Sequence, residues 1–202
     1  MRAIICAESY DLQKTLEPSF VSSMYENVKP KVWVKITGTL KGMKLEQIGD
    51  EIVATFPKKV DESFLTEIAV AETGIWHEAF EKQLSRISVA FRDILESLAD
   101  AYPGVRIPTA LHDLDHMLIA VLLSKRANYD MVKTWCKRLW SEYADLQALV
   151  KASRKELERI GRSYQLFEAI ESIRDLSKKH GGFNPLIREL SSKPPEIARM
   201  LL

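Results

Sequence analysis

Few polar side chains of this sequence stand at spacings that could do chemistry. His112 and His116 lie four residues apart, which would put two imidazoles on one helical face where a metal could take both. No third ligand of suitable spacing follows, and Asp113 stands where a helix N-cap belongs, so a metal site is not expected. Asp113 and Asp115 read as helix-start acids, and His77 and His180 are isolated. Cys6 and Cys136 are far apart without a CxxC spacing; they offer neither a zinc site nor a disulfide framework and are read as core thiols. No GxSxG, phosphate-loop or dinucleotide fingerprint appears. What remains is a basic turn, Ser124-Lys125-Arg126-Ala127-Asn128, and a second turn, Gly161-Arg162-Ser163-Tyr164-Gln165. The Arg126 guanidinium can bond an unpaired base edge or a phosphate, Lys125 can take a phosphate, and the Tyr164 ring offers a stacking face with a polar tip. The same residues would serve equally as a solvated helix end and as half-buried turn packing.

The elements that position these turns follow from periodicity. Leu118-Ile119-Ala120-Val121-Leu122-Leu123 is apolar all round, so a buried helix should hold the Ser124 turn in place. A second helix follows at once, with Tyr129, Val132, Trp135, Cys136, Leu139 and Trp140 as its stripe. Ser153-Arg154-Lys155-Glu156 has the capping-box form that opens a short helix, which Gly161 closes. Tyr164 then starts a helix to Lys179, carrying Leu166, Phe167, Ile170, Ile173 and Leu176 on one face. Pro194-Pro195-Glu196 predicts one more helix start, with Ile197, Met200 and Leu201 behind it.

The N-terminal part reads differently. Residues 31–37 alternate strictly, making Val32, Val34 and Ile36 the expected buried face of a strand. Residues 44–48 and 51–56 read as two strands joined at Gly49-Asp50. Asp61 caps a short helix that Gly74 ends, and from Trp76 through Phe80, Leu84, Ile87, Phe91, Ile94, Leu95 and Leu98 the spacing predicts one long amphipathic helix to about Tyr102, stopped by Pro103-Gly104. The fold class is α+β: a small antiparallel sheet domain with a short helix over residues 1–74, then a mainly α-helical bundle over residues 75–202.

The chain has 202 residues, 46% hydrophobic and 28% charged, the composition of a folded globular protein. A net charge of +1 gives no global pull toward nucleic acid, so any such binding must rest on local placement of Lys and Arg. Neither a signal-peptide apolar region nor a membrane-length apolar run is present; the expectation is an intracellular, soluble protein with no membrane partner.

Four landmarks carry a family resemblance: Tyr102-Pro103-Gly104-Val105-Arg106-Ile107-Pro108, the stretch 113–128, Ile160-Gly161-Arg162-Ser163-Tyr164-Gln165, and the run 183–202. In this order, over about the last half of the chain, they resemble the helix-hairpin-helix DNA glycosylases, the superfamily of endonuclease III and of the alkyladenine and 8-oxoguanine glycosylases. Glu17-Pro18-Ser19-Phe20 occupies the place of a Gly-Gln-Ser-Phe-like segment but lacks the glycine-glutamine pair, so no lesion specificity is assigned from it.

The resemblance implies a base-excision repair glycosylase that cleaves the N-glycosidic bond of a damaged base in double-stranded DNA, with AP lyase activity as an option. No cofactor is expected within this sequence; the endonuclease III branch carries an iron-sulfur cluster after the hairpin. A base turned out of the duplex leaves a gap. By position, Arg126 would fill it from the minor groove, Tyr164 with Gln165 would wedge beside the orphan base, and Lys125 would contact a phosphate. The family's Leu/Ile-x-Gly-Val-Gly hairpin, its Asp and its Schiff-base Lys have no counterpart in the sequence. The catalytic groups are expected from a missing C-terminal segment or from a second chain carrying the hairpin, and residues 195–202 look like the first helix of that motif. The alternative is a non-catalytic DNA-binding or partner subunit derived from a glycosylase.

Overall fold

The computed structural model describes residues 1–79, 82, 84–86, 89–125, 127–182, 184, 185 and 188. Phe80, Ile87 and the helix expected behind Pro194-Pro195 lie outside them. The chain divides into two compact units, residues 1–113 and 114–202. This division differs from the change of period at residue 74, which marks where strands give way to helices.

Unit 1 is built on a five-stranded antiparallel sheet of order β1-β5-β4-β3-β2, with β1 Arg2–Cys6, β2 Tyr25–Lys29, β3 Val32–Lys35, β4 Lys44–Ile48 and β5 Glu51–Thr55. The hairpin β4–β5 pairs Ile48 with Glu51 and Lys44 with Thr55, and its turn works because Gly49 takes φ +58°. β1 closes the far edge by pairing Ile4 with Val53. Between β1 and β2 lies α1 (Leu12–Leu16), held by Gln47, whose amide nitrogen donates to the Tyr10 carbonyl at 2.7 Å while its oxygen accepts from the Leu12 N–H at 2.9 Å.

Helix α2 (Glu62–Thr73) starts and stops where the sequence places it. The Asp61 carboxylate accepts from the Ser63 and Phe64 N–H groups, and Gly74 ends the helix at φ +72°. A side chain at 74 would also strike the next segment, since its Cβ would stand 2.7 Å from the Arg106 Cβ and 2.8 Å from the Ile107 carbonyl.

The face of β3 is a correction. Trp33, Lys35 and Thr37 are buried, whereas Val34 and Ile36 are half-buried; of the face expected inside, only Val32 is fully covered. The cause is an ionic cluster that alternation of polar and apolar residues cannot show. The Lys35 ammonium, fully buried, donates to Glu72 of α2 and, at 2.6 Å, to Asp113, while the Tyr25 hydroxyl donates to the other Glu72 oxygen. Burial pushes the Glu72 carboxyl above the ordinary carboxylate value despite Lys35, and burial with the neighbouring Glu72 charge pushes the Tyr25 phenol up. The remaining Asp113 oxygen accepts from the Thr39 N–H at 2.7 Å, so this carboxylate ties β3, α2 and the loop after β3 together instead of capping a helix.

The long helix expected over residues 76–102 is a second correction. Trp76 sits in a turn, its indole N–H donating to the Ile107 carbonyl at 3.1 Å; a short 3-10 turn covers Leu84–Arg86, and the helix proper, α3, is Val89–Ala101. Cys6 is exposed, contrary to its reading as a core thiol, because β1 alternates and turns Arg2, Ile4 and Cys6 outward; Cys136 is buried as expected.

Unit 2 holds α4 (Leu114–Leu123), α5 (Tyr129–Glu142), α6 (Leu146–Val150), α7 (Arg154–Ile160) and α8 (Tyr164–Lys179). Its core is Ile119, Ala120 and Leu123 of α4 against Trp135, Cys136 and Leu139 of α5 and Leu166, Ile170 and Ile173 of α8. α4 is not buried all round: Val121 is 46% exposed. Two arginines take the place of water at carbonyls at or just beyond helix ends: Arg138 donates to the Ile160 carbonyl at 2.8 Å, and Arg174 donates to the Val150 carbonyl at 2.9 Å and to that of Ala152.

Candidate nucleic-acid interface

Unit 2 presents both turns singled out by the sequence. At the end of α4 the Ser124 N–H still bonds the Ala120 carbonyl, and its hydroxyl donates to the Val121 carbonyl at 2.6 Å, so the helix closes tightly at this residue. Asn128 then opens α5, its side chain accepting from the Met131 N–H at 2.9 Å. Lys125 directly follows the tight closure of α4. Arg126, the residue expected to fill a strand gap, lies outside the described residues.

The second turn is fixed from below. Gly161 runs extended, and a Cβ there would stand 2.8 Å from the Trp135 indole nitrogen, so the chain passes directly over a core tryptophan. The capping box of Ser153 and Glu156 starts α7, and Ser163 is the N-cap residue of α8, its hydroxyl donating to the Gln165 side-chain oxygen. Tyr164, the first residue of α8, is 74% exposed: the ring is offered outward, not packed.

The structure brings Lys125 and Gln165 to one place. With Leu122, Glu168, Ala169 and Ser172 they line a small cleft of about 40 Å³ between the end of α4 and the first turns of α8. The Lys125 ammonium donates to the Glu168 carboxylate at 3.1 Å, and both side chains are substantially exposed. Glu168 escaped the sequence reading. Its signal was its place one turn beyond Tyr164 and Gln165, on the face of α8 opposite the Leu166, Ile170, Ile173 stripe.

The two histidines take different partners. In unit 1 the His112 ring is 2.8 Å from the Glu67 carboxylate. In unit 2 the His116 ring is buried, tilted against Trp140 with 4.0 Å between ring centroids, and bonded through Nδ1 to Asp115 at 2.8 Å. Burial alone would raise the Asp115 carboxyl, but the hydrogen bond and charge of His116 outweigh it and hold the group below the usual carboxylate value.

No protein family's sequence profile matches the chain, and no curated protein matches it by sequence. Solved structures do match. All of the chain superposes on 70% of MBOgg1, solved in complex with a low-affinity DNA ligand, at 12% identity and a TM-score of 0.74. The 8-oxoguanine glycosylase/lyase of Clostridium acetobutylicum matches over 99% of this chain and 70% of its own in the apo form, at 13% identity and a TM-score of 0.72. The 3-methyladenine DNA glycosylase of Archaeoglobus fulgidus matches over 84% of this chain and 65% of its own, at 11% identity and a TM-score of 0.64. The fold is that of the matched part of these DNA glycosylase structures, an antiparallel sheet N-terminal to a set of helices. At these identities the likeness is one of fold, and the chemistry of this chain has to be argued from its own residues.

Proposed function

We propose that this chain is the sheet domain and part of the helical core of a base-excision repair DNA glycosylase, contributing DNA binding and base extrusion. The observation that carries the reading is the convergence of Lys125 and Gln165 on one exposed cleft beside the outward Tyr164 ring. A cation for a phosphate, an amide for a base edge and an aromatic face for an orphan base are what a gapped duplex asks for. Arg126, next to Lys125 in sequence, adds a multi-donor head to the same turn.

N-glycosidic cleavage, and any lyase step, would need the hairpin together with the Asp and Lys that residues 1–202 do not carry in the family's pattern. We assign them to a further polypeptide segment, continuous or separate, that completes the fold. Double-stranded DNA with a damaged base is the partner, and residues 1–74 form the sheet domain against which a lesion pocket would be built. Among the described residues no helix is long and apolar enough to cross a membrane, in keeping with an intracellular site of action.

The test is fluorescence anisotropy with a duplex carrying an abasic-site analogue and with the same duplex intact. The reading expects preferential binding of the gapped duplex, weakened by Lys125→Ala and Tyr164→Ala. Equal affinity for both duplexes in all three proteins refutes it. Gapped-duplex binding that persists without base excision after the completing polypeptide is supplied would support the non-catalytic subunit instead.

A further inference from the structure

With a net charge of +1, attraction to phosphate depends on where single cations lie and on which of them are already neutralised. Helix α7 and the turn behind it carry Arg154, Lys155, Arg159 and Arg162 against two acids, Glu156 and Glu158. Both acids are engaged. The Glu156 carboxylate accepts from the Ser153 N–H and from the Ser153 hydroxyl, each at 2.7 Å, and Glu158 faces Arg154 across an i, i+4 ion pair of 3.6 Å. The Arg154 guanidinium also lies over the Phe167 ring, 4.7 Å from its centroid. Lys155 and Arg162 have no hydrogen-bond or ion-pair partner among the described residues. Arg159 makes no hydrogen bond or ion pair there either; its charge adds to the Ser153 hydrogen bonds in holding the Glu156 carboxyl below the usual carboxylate value.

The uncompensated cations form a row that leads to Tyr164. Lys155 and Arg159 stand one turn apart on α7, on the side away from the buried Leu157 and Ile160, and both are exposed. Arg162 follows, exposed, in the stretch between α7 and α8, with Gly161 and Ser163 on either side of it in extended backbone. The frame beneath is fixed: the Gly161 N–H bonds the Leu157 carbonyl at 3.1 Å, Arg138 donates to the Ile160 carbonyl at 2.8 Å, and Gly161 passes over the Trp135 indole. Tyr164, with its ring turned to solvent, comes two residues after Arg162. The chain contour from Lys155 to Arg162 is at most about 14 Å, enough for long side chains to meet successive phosphates of one strand, which recur every ~3.4 Å of duplex axis.

We propose that Lys155, Arg159 and Arg162 form a phosphate track that grips the backbone of the strand whose base stacks on Tyr164. The track reads no sequence and binds intact and gapped duplexes alike, because both present the same phosphates. Discrimination of the gap is left to the Tyr164 turn and the cleft beside it. An acidic protein surface would also be drawn to three cations, but the exposed aromatic ring at the end of the row offers a stacking face that a base uses and a carboxylate does not. The choice of duplex DNA as the occupant rests on the functional reading above; the uncompensated charge of the row does not.

The test is the salt dependence of duplex binding by the full chain, followed by anisotropy of a fluorescein-labelled duplex, intact or with an abasic-site analogue. At about 0.9 per phosphate, the combined variant Lys155→Ala, Arg159→Ala, Arg162→Ala lowers the slope of log K against log salt concentration by about 2 to 3 on both duplexes. Its preference for the gapped duplex and its far-UV circular dichroism spectrum are those of the native protein, since all three side chains are exposed. Arg159→Lys with Arg162→Lys keeps the native slope, because a phosphate contact asks for charge before shape. A fall of less than about 2 in the alanine variant, or a loss confined to the gapped duplex, overturns the proposal. So does an alanine variant that keeps the duplex slope but no longer binds a glutamate-rich peptide held by the native chain, which would give the row to an acidic protein. A native chain that binds both duplexes equally, with the slope lost in the alanine variant, leaves the track standing and removes the base-extrusion reading. A native preference for the gapped duplex with an unaltered slope in the variant does the reverse, and a native chain that binds neither duplex refutes both.

Discussion

Replacing Lys35 by methionine, close in length and free of charge, isolates the buried ionic cluster of unit 1. In the native protein one ammonium serves two carboxylates, Glu72 and Asp113, whose side chains are 2% and 4% exposed. Removing one partner of a buried charge pair costs about 3–5 kcal/mol because the remaining charge has neither water nor a counterion. Two stranded carboxylates keep Lys35→Met well within that range at neutral pH. Taking about 4 kcal/mol, the folding equilibrium falls roughly a thousandfold, and with a urea dependence of about 2 kcal/mol per molar the midpoint drops by about 2 M. Urea titration followed by far-UV circular dichroism measures this. The pH dependence has a definite sign. Burial already raises the Glu72 carboxyl above its ordinary value, and losing Lys35 raises it further. A group whose folded value lies above its unfolded one contributes stability below the unfolded value and loses it as pH rises through the folded one. The gap between Lys35→Met and the native protein therefore narrows as pH falls from neutrality toward the ordinary glutamate value. The combined variant Lys35→Met, Glu72→Gln, Asp113→Asn recovers most of the loss, since amides keep acceptors for Tyr25 and the Thr39 N–H without a stranded charge. A midpoint shift below about 0.5 M at neutral pH, or a combined variant no more stable than Lys35→Met, refutes the reasoning.

Three further outcomes are expected. Gly161→Ala forces its Cβ within 2.8 Å of the Trp135 indole nitrogen and costs about 1–3 kcal/mol, seen as a lowered urea midpoint and a shifted Trp emission; an unchanged protein would show that the chain does not pass over Trp135. Tyr164→Ala leaves stability within about 0.5 kcal/mol because the ring is exposed, yet weakens binding to the abasic-analogue duplex by about tenfold, the value of one stacked base. Glu168→Gln releases Lys125 from its 3.1 Å ion pair and tightens duplex binding severalfold, an effect absent when Lys125 is already alanine; Lys125→Ala lowers the salt-dependence slope by about one.

Much of the local structure was legible without coordinates because its causes lie within a few residues. Gly49-Asp50 between two alternating runs specifies a hairpin, Asp61 and Gly74 delimit α2, and Ser153 with Glu156 starts α7, each through hydrogen bonds or a backbone angle supplied by the residue itself. The turns at 124–128 and 161–165 were legible for the same reason. Their meeting was not: the Lys125 to Glu168 pair joins residues 43 positions apart, one in the turn after α4 and one on α8, and nothing local at either end announces it.

Where partners are distant, tertiary structure decided. Strict alternation in β3 admits either face as the inner one, and apolar content favoured Val32, Val34 and Ile36. The face carrying Lys35 went inside because Glu72 and Asp113, 37 and 78 residues away, converge on its ammonium and replace its water. The 76–102 segment gives the converse case. Within α3 the spacing does give one apolar stripe, but periodicity carries no information on whether that stripe meets a core, and in unit 1 Phe91, Ile94 and Leu98 face out. Sequence fixes which faces exist; only the packing of remote segments decides which of them are covered.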